Sequence, residues 1–163
     1  MFRVGIIVAS DKGASGDRID ISGEVIRDIM KKSGYTVIEK LILPDDLETL
    51  SGQMKIWCDE NTVDLILTTG GTGFSSRDVT PEATKRIIDK EVPGFAEVMR
   101  AESLKITPKA MLSRSSAGIR NFTLIINMPG SPKAVEESLG FILPALDHGL
   151  KILVGEATEC ARS

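Results

Sequence analysis

Histidine is nearly absent from this chain of 163 residues: His148 is the only one. A histidine-rich zinc site and a Ser-His-Asp triad both lack raw material unless His148 itself serves, and its neighbours Asp147 and Gly149 read as the surface of a C-terminal helix. Aromatic residues make up 4 %, too few for a base-stacking platform. No block of basic charge appears; the net charge of −3 comes from acids and bases mixed along the chain, which gives a nucleic-acid backbone no electrostatic footprint. No stretch approaches the ~20 apolar residues of a membrane helix. The apolar run at the N-terminus, ended at once by Ser10-Asp11-Lys12, is too short for a signal peptide, so a cytoplasmic protein is expected. The two cysteines, Cys58 and Cys160, are far apart and lack metal-type spacing; both are expected to be free thiols.

What is present is a core. Hydrophobic residues make up 42 %, and the length suits one compact domain, expected over residues 1–155 with a frayed tail at 156–163. Val4 to Ala9 is continuously apolar, as in a strand buried on both faces. Ile21, Val25, Ile26, Ile29 and Met30 recur at helical spacing up to Ser33-Gly34. Tyr35 to Leu43 is rich in β-branched residues and predicts a second strand. Leu47, Leu50, Met54 and Trp57 predict a helix, and Val63 to Thr69 a third strand. Thr80 as cap and Pro81 at the first helical position open another helix, broken at Pro93-Gly94 and followed by one from Phe95 to about Leu104. Met111 to Ala117 and Phe122 to Asn127 predict two strands of an antiparallel hairpin, and Pro129-Gly130-Ser131-Pro132 opens a last helical region with a break near Leu143, before Pro144. Alternating strands and helices imply an α/β fold, a three-layer sandwich whose mostly parallel, mixed central sheet carries helices on both faces.

In such sheets a ligand sits beyond the carboxyl ends of the strands. Three segments fall there: Ser10-Asp11, the run from Gly70-Gly71-Thr72-Gly73 to Asp78, and Asn127 to Pro132. The glycine turn is neither a Walker A loop, since no Gly-Lys-Ser/Thr follows, nor the G-x-G-x-x-G dinucleotide pattern. Alone it is compatible with a plain turn. Followed by Asp78 and a marked helix start, it reads as a backbone cradle for phosphate, with Thr72 adding a hydroxyl and the carboxylate a place for Mg²⁺. Asp45, in Pro44-Asp45-Asp46-Leu47-Glu48, has two readings: a helix cap, a role either aspartate could fill, or a second carboxylate facing the same crevice as Asp78. Ser113 and Arg114 offer a hydroxyl and a guanidinium to phosphate oxygens or form a solvated strand entrance. Asn127 ends a strand, and Ser131-Pro132 makes a helix N-terminus that suits an anion or simply a tight turn.

Taken in order, Val8-Ala9-Ser10-Asp11, Pro44-Asp45-Asp46, Thr68-Thr69-Gly70-Gly71-Thr72-Gly73, Arg77-Asp78-Val79-Thr80-Pro81-Glu82-Ala83, Pro93-Gly94-Phe95, Leu112-Ser113-Arg114 and Asn127-Met128-Pro129-Gly130-Ser131-Pro132 span almost the whole chain. Together they resemble the MogA/MoaB family of molybdenum cofactor biosynthesis, which includes the G domains of gephyrin-like proteins. One departure is Met128, where leucine is more usual. The resemblance implies a molybdopterin adenylyltransferase that converts ATP and molybdopterin to adenylyl-molybdopterin and diphosphate with Mg²⁺. It puts the two acidic positions at Asp45 and Asp78, as catalytic and metal-holding residues. Nucleotide and pterin contacts fall to Ser10, Asp11, Thr69, Gly70, Gly71, Thr72, Gly73, Ser113, Arg114, Asn127, Pro129, Gly130 and Ser131. It further implies a homotrimer or hexamer and hand-over of the product to a molybdate-insertion protein. Two other readings use the same crevice: a non-catalytic molybdopterin carrier, and a hydrolase of nucleotide diphosphate linkages on the same fold.

Overall fold

The computed structural model describes residues 1–156. Its elements run β1 (Arg3–Ala9), α1 (Asp11–Ala14), α2 (Ser22–Lys32), β2 (Thr36–Leu43), α3 (Leu47–Asp59), β3 (Leu65–Thr69), α4 (Thr80–Ile87), β4 (Lys90–Glu91), α5 (Pro93–Leu104), a 3-10 turn (Pro108–Leu112), β5 (Ala117–Arg120), β6 (Thr123–Met128) and α6 (Pro132–Leu153). The tail expected to fray lies outside the described residues except for Glu156, and so does the Cys160 thiol. Among the described residues no helix is long and apolar enough to cross a membrane.

The sheet order is β2-β1-β3-β6-β5-β4. β1, β2, β3 and β6 are parallel; β5 runs antiparallel to β6, and β4 to β5. This is the mixed sandwich expected from the alternation of elements. The strands with the longest apolar runs are the central ones, as burial on both faces requires. Val4, Ile6 and Val8 of β1 face a core shared with α2, α5 and α6, while Ile7 and Ala9 face one built with α3 and α4. The period of two along one strand thus separates the two helical layers.

Three local expectations are corrected. Residues 111–116 are not a strand. Pro108, capped by the Thr107 side chain, starts a 3-10 turn, and Ser113 to Ser116 then run to the sheet, with Arg114 hydrogen-bonding the glycine loop instead of a strand partner. The hairpin exists but is displaced: Ala117 to Arg120 pair with Thr123 to Ile126, and Asn121 takes the left-handed turn conformation (φ 52°) that asparagine tolerates. Nor does Pro144 break the last helix. It sits on the exposed side of α6, while Val135, Leu139, Ile142, Leu146 and Leu150 are buried on either side of it. A mid-helix proline costs about 3 kcal/mol; five buried aliphatic side chains, each contributing about 1.5–3 kcal/mol, outweigh it.

Candidate active site

Where β1, β2 and β3 end, three turns meet. Ser10 follows β1 and caps α1, its hydroxyl accepting from the Gly13 amide at 3.0 Å. Asp11 and Asp45 are joined reciprocally: the Asp11 amide donates to Asp45 Oδ2 (3.0 Å) and the Asp45 amide to Asp11 Oδ1 (2.9 Å). Arg77, from the loop after β3, grips Asp11 with Nε and Nη2 at 2.9 and 3.0 Å. The question left open at Asp45 has a structural answer: Asp46 is the cap of α3, accepting from the Thr49 amide at 2.9 Å, so the Asp45 carboxylate does not serve the helix.

The glycine turn needs its glycines. Gly70 and Gly71 have φ of +89° and +69°, and a Cβ would lie 2.4 Å from the Ala9 carbonyl oxygen in the first case and 2.3 Å from Thr80 Oγ1 in the second. Thr80 ties the loop back, its hydroxyl donating to the Gly70 carbonyl (2.9 Å) and its amide to the Gly71 carbonyl (3.1 Å). It is therefore the first residue of α4 and not its side-chain cap. Asp78 closes the loop on itself, Oδ2 accepting from the Ser75 amide at 3.0 Å.

Ser10, Asp45, Thr69, Gly70, Gly71, Asp78 and Gly130 line one crevice of about 500 Å³. Burial pushes the Asp45 carboxyl above the ordinary carboxylate range; the Asp11 amide opposes this, and the charges of Asp11 and Asp78 add to it. Asp11, held by the Arg77 guanidinium, is shifted below that range. Asp45 and Asp78 each keep one carboxylate oxygen without a hydrogen bond from the described residues. Among the described residues no group of three or more His, Cys, Asp or Glu could hold a metal ion. Two carboxylates are nevertheless what magnesium takes from a protein when substrate phosphates complete its shell, so this donor set fits that ion.

Thr72, Gly73, Ser113 and Pro129 line a second cavity, of about 290 Å³, on the other side of the same loop. Other expected contacts are spent inside the protein. Asn127 is wholly buried: its Nδ2 donates to Thr68 Oγ1 (3.0 Å) and Thr84 Oγ1 (2.8 Å), and its Oδ1 accepts from the Ser116 amide (3.2 Å). It joins β6 to α4 and does not reach either cavity. Ser131 caps α6. The Arg114 guanidinium is turned onto the loop, and the Asp11 carboxylate onto Arg77 and Asp45. His148, exposed on α6, lines neither cavity.

Sequence reading missed Arg18, Asp20 and Ser22, which also line the larger crevice. Asp20 had a signal: it stands three residues before Gly23 at the start of α2 and accepts from that amide at 2.8 Å, while its other oxygen binds Lys40 at 2.6 Å. Ser22 receives no such mark in sequence, yet its hydroxyl lies 3.1 Å from that of Thr69 at the end of β3, which donates to the Pro129 carbonyl at 2.7 Å and so accepts from Ser22.

Comparison with known proteins places the chain in a family. The family described as "Probable molybdopterin binding domain" matches residues 5–148. The molybdopterin adenylyltransferase of Helicobacter pylori strain J99 is 42 % identical over 154 residues, covering 93 % of this chain and 88 % of that protein. Its counterpart in Escherichia coli K12 is 39 % identical over 139 residues, 84 % of this chain and 71 % of that one. The crystal structure of the molybdopterin biosynthesis enzyme MoaB from Thermus thermophilus superposes with a TM-score of 0.90 at 47 % identity, covering 95 % of this chain and 98 % of that one.

Proposed function

The chain belongs to the molybdopterin-binding domain family of molybdenum cofactor biosynthesis, and we infer that it is a molybdopterin adenylyltransferase, joining ATP to molybdopterin with release of diphosphate. The observation that carries the reading is the convergence of Asp45 and Asp78 with the left-handed Gly70-Gly71 turn in one crevice at the carboxyl ends of β1, β2 and β3.

The loop amides from Gly70 to Gly73 receive nucleotide phosphate oxygens. Asp45 and Asp78 would hold magnesium, which would supply neutralisation of the charge on the triphosphate. Arg18, exposed on the crevice wall, supplies a cation that no carboxylate among the described residues engages. The smaller cavity, with Thr72, Ser113 and Pro129, takes the pterin. The terminal phosphate of molybdopterin attacks the α-phosphorus of ATP; an O–P bond forms there as the bond to the β-phosphate oxygen breaks, and diphosphate leaves with that electron pair. The attacking phosphate is already ionised at neutral pH, so no strong base is required, which suits a site without histidine. Positioning and charge neutralisation carry the rate. The same reading includes a cytoplasmic homotrimer, or a hexamer, that passes its product to a molybdate-insertion protein; sizing chromatography and a pull-down test those parts.

The decisive assay mixes the protein with molybdopterin, ATP and Mg²⁺ and measures diphosphate. Release that depends on the pterin is expected. No release would indicate a carrier, and nucleotide breakdown without pterin a hydrolase. Asp78→Asn should keep the circular dichroism of the fold and lower turnover by about 10²-fold, the scale of removing one preorganised charge contact.

A further inference from the structure

We propose that Arg114 is a positioning residue, which sets the shape of the glycine loop from behind and acts on the reaction only through it. Four of its groups reach that loop or the helix that follows. The amide donates to the Thr72 carbonyl at 2.9 Å, Nε to the Gly73 carbonyl at 2.8 Å, and Nη2 to the Asp78 carbonyl at 2.8 Å, while Nη1 pairs with Glu82 in the first turn of α4. One residue thus pins the loop where it leaves the glycines and again where it delivers Asp78. The segment carrying Arg114 is itself anchored, because Arg100 of α5 donates to the Ser115 carbonyl at 2.9 Å.

The consequence follows from the planar peptide. A carbonyl held on one side fixes the next amide N–H on the other. Holding Thr72 and Gly73 therefore fixes where the Gly73 and Phe74 amides aim, and holding Asp78 fixes the backbone from which its carboxylate projects. Between the pinned points the loop has little else. Phe74, Ser75, Ser76 and Arg77 are exposed; the inner bonds there are the Ser75–Asp78 turn and the Arg77 amide to Ser75 Oγ (3.3 Å), and among the described residues the one outward tie of these four side chains is the exposed Arg77–Asp11 pair. A planar guanidinium, with donors at fixed angles, can serve two carbonyls and a carboxylate together; an ammonium cannot hold that fan.

This inference rests on the adenylyltransferase reading for its kinetic half, so the first measurement avoids the reaction. Amide hydrogen exchange over residues 72–78 is recorded without substrates in the wild type, Arg114→Gln and Arg114→Lys. Exchange about tenfold faster or more is expected in the glutamine variant, with a smaller rise in the lysine variant. In the diphosphate assay, kcat should fall by about 10–10²-fold for Gln and less for Lys, with the KM for molybdopterin within about threefold of wild type. Unchanged loop exchange in both variants overturns the proposal. A tenfold rise in the KM for molybdopterin at unchanged kcat also overturns it, by making Arg114 a ligand contact. If the glutamine variant does not fold, the lysine variant carries the test: full turnover with a fast-exchanging loop is incompatible with action through the loop. A wild type that releases no diphosphate would count against the enzyme reading and leave the exchange result to decide the clamp.

Discussion

Asp11 and Asp45 each donate a backbone amide to the other's carboxylate, at 3.0 and 2.9 Å, and this reciprocal pair joins the turn after β1 to the turn after β2. The two carboxylates meet opposite fates. Arg77 neutralises Asp11 and holds its carboxyl low, whereas burial raises Asp45, with the charges of Asp11 and Asp78 adding to the shift. The pair therefore keeps one carboxylate structural and leaves the other half-buried and under-compensated, a state that serves a cation better than it serves the fold.

That asymmetry predicts the stability of Asp45→Asn. Because the folded carboxyl binds its proton more tightly than the unfolded one, the wild-type contribution is fully present below the ordinary value of 3.8 and declines as pH rises through the raised folded value. Asparagine removes the charge and can still accept from the Asp11 amide. At pH 7 the variant should melt at or above the wild-type temperature, with the gap closing as pH falls toward 4, while adenylation drops by about 10²-fold. Thermal melts across this pH range, run beside the diphosphate assay, check both halves; a less stable but active variant would return Asp45 to a purely structural role.

Its neighbour should behave in the opposite way. Asp46 accepts from both the amide and the hydroxyl of Thr49, at 2.9 and 2.7 Å, and so caps α3. Asp46→Ala should cost about 0.5–2 kcal/mol in a urea titration, with kcat within about twofold of wild type, because its carboxylate does not line the crevice.

The contrast between these two aspartates marks what could be read from the chain. The main strand and helix order and the glycine turn were legible because each rests on local chemistry: apolar runs, φ > 0, caps. Which aspartate capped and which faced the crevice was not, since adjacent residues share one local pattern and differ only in the partner that folding brings. The partners of Asn127 and Arg114 were hidden for the same reason. A polar side chain in sequence does not announce that Thr68, Thr84 and Ser116, or the carbonyls of Gly73 and Asp78, will meet it from 11 to 59 residues away. Pro144 failed as a breaker because a local penalty was set against five tertiary contacts of α6.

Cys58 illustrates burial acting on a reactive group. It is 2 % exposed and packs among Met54, Trp57 and Val63 on the α3 side of the sheet. Burial pushes its thiol up to about 11, against smaller opposing effects of Thr123 and Arg120. The thiolate needed for reaction is scarce at pH 8, and reagent cannot reach it. Peptide mapping after treatment with an alkylating reagent should find Cys58 unmodified in the native protein and fully modified in denaturant. Modification of the native protein at the rate of a free peptide would contradict the packing.

Gly71 joins stability and function in one position. Alanine there would hold φ at +69° with its Cβ 2.3 Å from Thr80 Oγ1 and 3.3 Å from Asp45 Oδ1. The left-handed backbone alone costs a non-glycine residue about 1–2 kcal/mol. Relief of the clash must displace Thr80, which ties the loop to α4 through the carbonyls of Gly70 and Gly71. Gly71→Ala should therefore lose roughly 2–4 kcal/mol in denaturant. The folded fraction should also bind ATP-Mg²⁺ at least tenfold more weakly in a calorimetric titration, because the displaced turn moves the amides proposed to receive phosphate. Gly52→Ala, inside α3 with open space around the added methyl, is the control and should gain about 0.5–1 kcal/mol with unchanged binding. If the two alanines prove equally harmless, the turn is not under the constraint its dihedrals describe, and the phosphate cradle loses its physical basis.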